Sequence, residues 1–251
     1  MDIILSKSAD GLARVEINRP QVKNALNRAA LERLAEVFEE LQSDRGIRVV
    51  VLQGREGFCA GADLSELAGL SGAVQREEFF KGFARAISAM ISCPQPIVGV
   101  VRGAGVAGGC GLVAACDFVV AAADAKFGIP EVKLGLAPLI VMSVIQRVIG
   151  VRAATELAFF AELIGADRAL ELGLVNRVVE LAEIEGIAGE LIEKLLKLPA
   201  PALAATKRAS YAISDTELSK LLVRLPKEVS VLSISEESLG LVAKFLDKGR
   251  K

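Results

Sequence analysis

The chain has 251 residues, with 30 Lys and Arg against 31 Asp and Glu, 52% apolar side chains, 4% aromatic ones and no histidine. That length allows one domain or two and suffices to bury on the order of three quarters of the unfolded surface. The missing histidine excludes a Ser-His-Asp or Cys-His nucleophile, a His-ligated zinc or haem and an imidazole pH switch. Acid–base chemistry therefore falls to carboxylates, Lys, Tyr or Cys. A pI near 5.8 speaks against nucleic acid as a partner, because phosphate neutralisation needs a basic surface.

A mean hydropathy of +0.45 raises the question of a membrane. The longest uncharged stretch, 86–101, is broken by Pro94 and Pro96 and falls short of the about 20 residues that a span needs. The opening MDIILSKSADG carries neither a basic leader nor an apolar signal core. A deep core plus subunit interfaces accounts for the apolar content, and the expectation is a cytoplasmic oligomer. Cys59, Cys93, Cys110 and Cys116 form no C-x-x-C pair and stand among small or apolar residues. This is the setting of buried thiols, not of zinc ligands or a redox motif.

In chain order, 2–7 and 12–18 read as two short strands around a turn at 8–11. Over 27–41, apolar residues at Leu31, Leu34, Ala35, Phe38 and Leu41 make a helical stripe opened by the cap residue Asn27. The β-branched run 47–52 reads as a buried strand, followed by the turn-rich QGREGFCAGAD. A second amphipathic helix, 75–91, carries Phe79, Phe80, Phe83 and Ile87 on one face. A strand over 97–101, a small-residue helix ending at Cys116 and a strand over 118–122 follow. This alternation argues for α/β architecture. From about 139 the chain turns helical, with segments near 139–149, 151–163, 181–197, 201–212 and 216–246 and one strand near 174–179. Leu-Pro-Ala-Pro at 198–201 is the linker candidate. It separates a core over 1–198 from a helical region over 199–251.

Gly103-Ala-Gly105-Val-Ala-Gly108 is a literal G-x-G-x-x-G, placed after a strand and opening a helix, with Asp124 near the expected acidic spacing. Alone, it points to a dinucleotide site and an NAD-dependent dehydrogenase. That fingerprint usually opens the first strand–helix unit, however, and here at least three strands and two helices precede it. The glycines keep a physical meaning either way. N–H groups at a helix N-terminus are unpaired, the dipole adds partial positive charge, and an oxygen gaining negative charge is stabilised there. Phe58-Cys-Ala-Gly-Ala-Asp63 is a second candidate donor segment.

Together, Asn24-Ala-Leu-Asn27, Phe58-Cys-Ala-Gly-Ala-Asp63, Pro96-Ile-Val-Gly-Val-Val-Arg-Gly103, Ala107-Gly-Gly109, Cys116-Asp117 and Phe127-Gly-Ile-Pro-Glu131 resemble the enoyl-CoA hydratase/isomerase (crotonase) superfamily. The segments 165–179, Thr206-Lys207 and Phe245-Leu-Asp-Lys248 are similar to its distal parts, so the resemblance covers essentially the whole chain. It implies an α/β fold, a crotonase-like spiral of repeated ββα units with a C-terminal helical region, assembled as a homotrimer or dimer of trimers. It further implies an acyl-CoA substrate, with coenzyme A part of that substrate and no separate cofactor or metal. By motif position, Ala62 and Gly108 supply the N–H groups that polarise the thioester carbonyl. Ala60, Gly61, Asp63, Leu64 and Gly109 fall in the substrate-binding segments, and Lys23 and Lys248 are candidates for phosphate contacts.

The carboxylates bear on the reaction. Hydratases of the best-known type hold one water with two glutamates. Glu131 matches the second, and the first position, two residues after Gly109, is Gly111 here. Double-bond migration needs one base only, taking a proton from C2 and returning it to C4. The single-glutamate pattern is similar to that of enoyl-CoA isomerases. The Ala137-Pro138 step with its aliphatic run is similar to branched-chain, methylglutaconyl-type hydratases. Hydratase and isomerase stay open, as does a catalytically silent acyl-CoA-binding paralogue. The pocket floor is expected from Leu67, Leu70, Phe79, Phe80, Phe83 and 136–145.

Overall fold

The computed structural model describes residues 1–214 and 218–248. β1 (Ile3–Lys7) and β2 (Leu12–Ile17) form an antiparallel hairpin, followed by α1 (Arg28–Ser43) and β3 (Val49–Gly54). Next come α2 (Leu64–Gly69), α3 (Gly72–Ser92), β4 (Ile97–Val101), β5 (Ala104–Val106) and α4 (Gly108–Ala114). β6 (Phe118–Ala122) and β7 (Lys126–Gly128) lead through a 3₁₀ turn over Pro130–Leu134 into α5 (Leu139–Phe160). β8 (Ile164–Gly165), α6 (Ala166–Glu171), β9 (Arg177–Val179) and α7 (Ile184–Leu196) follow. The chain ends in α8 (Ala200–Ser214), α9 (Leu218–Ser233) and α10 (Glu236–Lys248).

The six-stranded sheet runs β1-β2-β3-β4-β6-β9, with every pairing after β1–β2 parallel. Parallel strands are covered on both faces, which is why 49–52 and 97–101 are uninterrupted apolar runs. Val49, Val51, Val98, Val100 and Val120 face Ile184, Ala188, Ile192 and Leu195 of α7. Val50, Leu52 and Ile97 face the larger core with Leu31, Leu34 and Phe38 of α1 and Phe79 and Ile87 of α3. α1 starts as its sequence requires: the Asn27 side chain accepts from the Ala30 N–H at 2.8 Å, satisfying one of the donors a helix leaves open.

The second sheet is small, in the order β5-β7-β8. β5 and β7 pair in parallel, and isolated parallel bridges join Leu26 to Ala62 and Cys59 to Gly105. Each turn of the chain thus lays a strand in the large sheet, a short extended piece in or against the small one and a helix; of these helices α4 is wholly buried. β4, β5 and α4 are one such turn, and β6, β7, the 3₁₀ turn and α5 are the next. This is the expected spiral of ββα units.

Several boundaries differ from the sequence reading. β5, β7 and β8 were not foreseen, because two or three residues cannot display an alternation. The continuous helix expected over 216–246 is two helices, parted after Ser233. The break inside α5 is the expected one, at Gly150, whose backbone has φ 79° and ψ 159°. The dinucleotide reading is corrected. Residues 104–106 are a strand, and Gly103 and Gly108 lie at its two ends, so the glycines do not form one phosphate-cradling turn. All four cysteines are free and buried, and burial pushes the thiols of Cys59 and Cys110 up to about 12. No helix among the described residues is long and apolar enough to cross a membrane.

The helical region is anchored by a buried cation. Lys207 of α8 donates to Asp117 at 2.7 Å and to the Gln95 carbonyl at 3.1 Å, and Asp117 also accepts from the Ile97 N–H at 2.8 Å. Removing one partner strands the other charge away from water. Asp117→Ala is expected to destabilise the fold by about 3–5 kcal/mol, read as a lowered urea midpoint.

Candidate active site

Stacking of the spiral turns brings together two loops far apart in sequence. The Ala60 N–H donates to the Lys23 carbonyl at 3.1 Å, Leu26 donates to the Gly61 carbonyl at 2.7 Å, and Asp63 donates to the Leu26 carbonyl at 2.9 Å. Cys59 is bonded to β5 through both of its backbone groups, its N–H donating to the Ala104 carbonyl at 2.8 Å and its carbonyl accepting from the Val106 N–H at 3.0 Å. Among the described residues, the N–H groups of Ala62 and Gly108 find no acceptor.

Glycine is required at the junction. Gly61 has φ +93°, and a Cβ there would lie 2.8 Å from the Ala107 Cβ and 2.9 Å from the Gly108 nitrogen. A Cβ on Gly108 would collide with the Phe83 ring, and one on Gly109 with the Cys59 carbonyl. Three glycines without side chains thus let the start of α4 rest against 59–61. Ala107, just before Gly108, sits at φ 53° and ψ −128°, a conformation that costs a non-glycine residue of order 1–3 kcal/mol. It is held by the bond from its N–H to the Gly128 carbonyl at 2.8 Å and by its own carbonyl, which accepts from Cys110 at 2.9 Å. The held peptide fixes the direction of the next N–H, that of Gly108, at a helix N-terminus.

Ala62, Gly108 and Glu131 line one cavity of about 850 Å³, within the usual size of small-molecule sites. Its walls include Leu64 of α2, Phe80 and Phe83 of α3, and Leu139, Ile140 and Val141 of α5. Glu131 is carried on the 3₁₀ turn, directly after Pro130, which pre-sets that turn. One of its oxygens, Oε2, is buried and has no hydrogen-bond partner. Burial raises its carboxyl from 4.5 to about 7, with a backbone hydrogen bond pulling the other way. A buried acid that titrates near neutrality and lines a largely apolar cavity can both accept and return a proton.

The remaining sequence candidates are distributed unevenly. Lys23, Ala60 and Leu64 line the cavity. Gly61 and Gly109 serve the junction just described. Asp63 faces away from the cavity: it caps α2 by accepting from Ser65 and Glu66 and pairs with Arg19 at 3.0 Å. The Lys248 side chain lies outside the described residues. Gly111 is buried in α4, and a Cβ there would meet Val141 at 3.4 Å and Ile87 at 3.5 Å, so its surroundings are aliphatic. The expected floor needs correction, since Leu67 and Phe79 turn into the core and, with Leu70, are absent from the lining, whereas Phe80, Phe83 and 136–141 are present. Missed by sequence reasoning were Lys133, on the 3₁₀ turn, and Leu241, Lys244, Phe245 and Asp247 of α10. The helical periodicity of α10 was readable, but not which of its faces would meet the cavity. Among the described residues no cluster suited to a metal ion occurs.

Stacked ββα turns with glycine-lined loops at their edge define a spiral protein of the crotonase class. The chain belongs to the enoyl-CoA hydratase/isomerase family, whose model matches residues 7–240. It is 34% identical to a short-chain-enoyl-CoA hydratase of Clostridium acetobutylicum over 98% of this chain and 95% of that protein. It is 35% identical to a crotonyl-CoA hydratase of Syntrophomonas wolfei over 77% and 76% of the two chains. An enoyl-CoA hydratase structure from Mycobacterium avium subsp. paratuberculosis superposes with a TM-score of 0.88 at 30% identity, covering 96% of this chain and 98% of that one.

The buried carboxyl makes stability depend on pH. In the folded chain it keeps its proton to about pH 7, whereas an ordinary glutamate loses it near 4.5. The folded state therefore binds more protons between those values, and stability falls as pH rises through that window, by up to about 3 kcal/mol. Glu131→Gln is expected to melt higher than the parent at pH 8 and to lose that advantage by pH 4.5, checked by thermal unfolding across pH.

Proposed function

We propose that this chain binds an acyl-CoA thioester, polarises its carbonyl with the N–H groups of Ala62 and Gly108, and uses Glu131 alone as the acid/base. The observation that carries the reading is that two N–H groups without an acceptor among the described residues and a buried carboxyl whose Oε2 has no partner line a single, largely apolar cavity. A thioester oxygen held by both donors gains charge as C2 loses its proton, and donors already aimed at that oxygen need no rearrangement when the charge develops. Lys23, Lys133 and Lys244, all lining the cavity, are suited to the phosphates of the CoA moiety. Ala60 and Leu64 belong to the same wall, and Gly61 and Gly109 permit the close junction beside it. No resident cofactor is needed for this chemistry.

The reaction favoured by this geometry is migration of a double bond from the 3,4 to the 2,3 position. Glu131 takes the C2 proton, the electron pair spreads over a dienolate, and the same carboxyl returns the proton to C4. A water molecule needs two to four polar partners to be held, and around Gly111 the neighbours are Val141 and Ile87. A second reading, hydration of a 2-enoyl thioester, is favoured by the names of the relatives at 34% and 35% identity. The exposed apolar side chains Phe159, Phe160 and Val151 suit contact with further copies of the chain in a homotrimer or dimer of trimers.

Turnover of 3-enoyl-CoA and crotonyl-CoA by the purified chain separates these readings. The expected result is faster conversion of the 3-enoyl thioester and a 10²–10⁴-fold lower kcat in Glu131→Gln. Faster conversion of crotonyl-CoA selects hydration instead. Binding without turnover of any thioester identifies a silent acyl-CoA-binding protein.

A further inference from the structure

α10 is both a wall of the cavity and a neighbour of the turn that carries Glu131. Ser238, in its first turn, is fully buried, and its hydroxyl donates to the Leu134 carbonyl at 3.2 Å. Gly135, which ends the 3₁₀ turn in a left-handed conformation at φ +67°, comes so close that a Cβ on it would stand 2.9 Å from the Ser238 Cα. The turn itself is closed by two bonds, from Gly135 to the Val132 carbonyl at 3.0 Å and from Leu136 to the Glu131 carbonyl at 3.1 Å. Three and seven residues beyond Ser238, on the same face of the helix, Leu241 and Phe245 line the cavity.

The other end of this arrangement is also fixed. Arg76 of α3 is buried, and its guanidinium donates to the Ser233 carbonyl at 2.9 Å, at the corner where α9 gives way to α10. Its neighbour one turn on, Phe80, lines the cavity. A buried cation supplying the last carbonyl of a helix holds that helix end in place. α10 therefore springs from a pinned corner, presses on the Glu131 turn at Ser238 and then runs along the cavity.

We propose that Ser238 is a positioning residue for Glu131, because its bond to Leu134 and its contact with Gly135 make the cavity wall and the Glu131 turn move as one body. An acyl chain that packs against Leu241 and Phe245 thereby holds the carboxylate at the reacting carbon. The inference rests on Glu131 being the acid/base of the proposed function. It goes further in assigning a role to a side chain that does not itself touch the cavity.

Keeping α10 seated also keeps water from Glu131, whose raised pKa arises from burial. The other titratable groups near it are Lys133 on its own turn, Cys110 on α4, Lys23, and Lys244 and Asp247 on α10. Loss of the Ser238 bond readmits water and moves the Glu131 pKa down from about 7 towards 4.5.

The test compares Ser238→Ala, Gly135→Ala and their double variant with the parent in kcat, KM, melting temperature and the acid limb of the pH–rate profile, using the thioester the parent turns over. Gly135→Ala pushes on the same contact from the other side, so the single variants should share one phenotype and combine non-additively. For Ser238→Ala, a kcat reduced about tenfold to a hundredfold, with a smaller change in KM and an acid limb shifted to lower pH, is the expected result. A lowered melting temperature with kcat and acid limb unchanged overturns the positioning role while leaving the function standing, provided Glu131→Gln is inactive. Undiminished turnover by Glu131→Gln overturns the function reading itself, and the role of Ser238 with it.

Discussion

The approach of Gly61 to Gly108 is the constraint on which the site depends. The two residues belong to successive turns of the spiral, and the parallel bridges Leu26–Ala62 and Cys59–Gly105 bring those turns side by side. A side chain at Gly61, Gly108 or Gly109 would occupy space already filled by Ala107, Phe83 or Cys59. A backbone free of Cβ atoms at these places lets Ala62 and Gly108, whose N–H groups find no acceptor among the described residues, line one cavity. The strained conformation of Ala107 is tolerated because both its N–H and its carbonyl are bonded on either side of the junction, so that surrounding structure holds the local strain at the site.

The apolar cavity wall and the buried Glu131 carboxyl, whose Oε2 has no partner, form a single electrostatic arrangement. In water the Glu131 carboxylate would be well solvated and weakly basic. Among Phe83, Ile140 and Val141 its charged form is disfavoured, and its proton affinity rises to the neutral range where giving and taking cost similar amounts. In the proposed reaction, the same apolar surroundings would strengthen the attraction between the backbone donors and a charged oxygen. The aliphatic surroundings of Gly111 extend the apolar wall along α4. That bears directly on whether a water molecule or C2 of the substrate would give up the proton that Glu131 takes.

Much of this was legible in the chain before any coordinates. The Asn27 cap, the break at Gly150 and the buried thiols follow from local chemistry, and the family resemblance singled out Ala62, Gly108 and Glu131, which line one cavity. What stayed hidden depended on direction. Phe79 and Phe80 are adjacent, so on a helix their side chains point about 100° apart; Phe79 turns to the core and Phe80 to the cavity, and apolarity alone does not say which. Asp63 stands within a binding motif yet is taken up by capping α2 and pairing with Arg19. Lys244 and the α10 face reach the cavity because α10 packs on the Glu131 turn, about a hundred residues earlier in the chain, through contacts such as Ser238 with Leu134, which no local pattern encodes.

The infrared carbonyl stretch of a ¹³C-labelled acyl-CoA thioester, measured free and bound, tests the central claim most directly. Two converging N–H donors draw electron density onto the thioester oxygen, and the account predicts a bound band clearly below its position in water. A bound band at or above the aqueous frequency would mean that the Ala62 and Gly108 amides do not meet at that oxygen, and would contradict it.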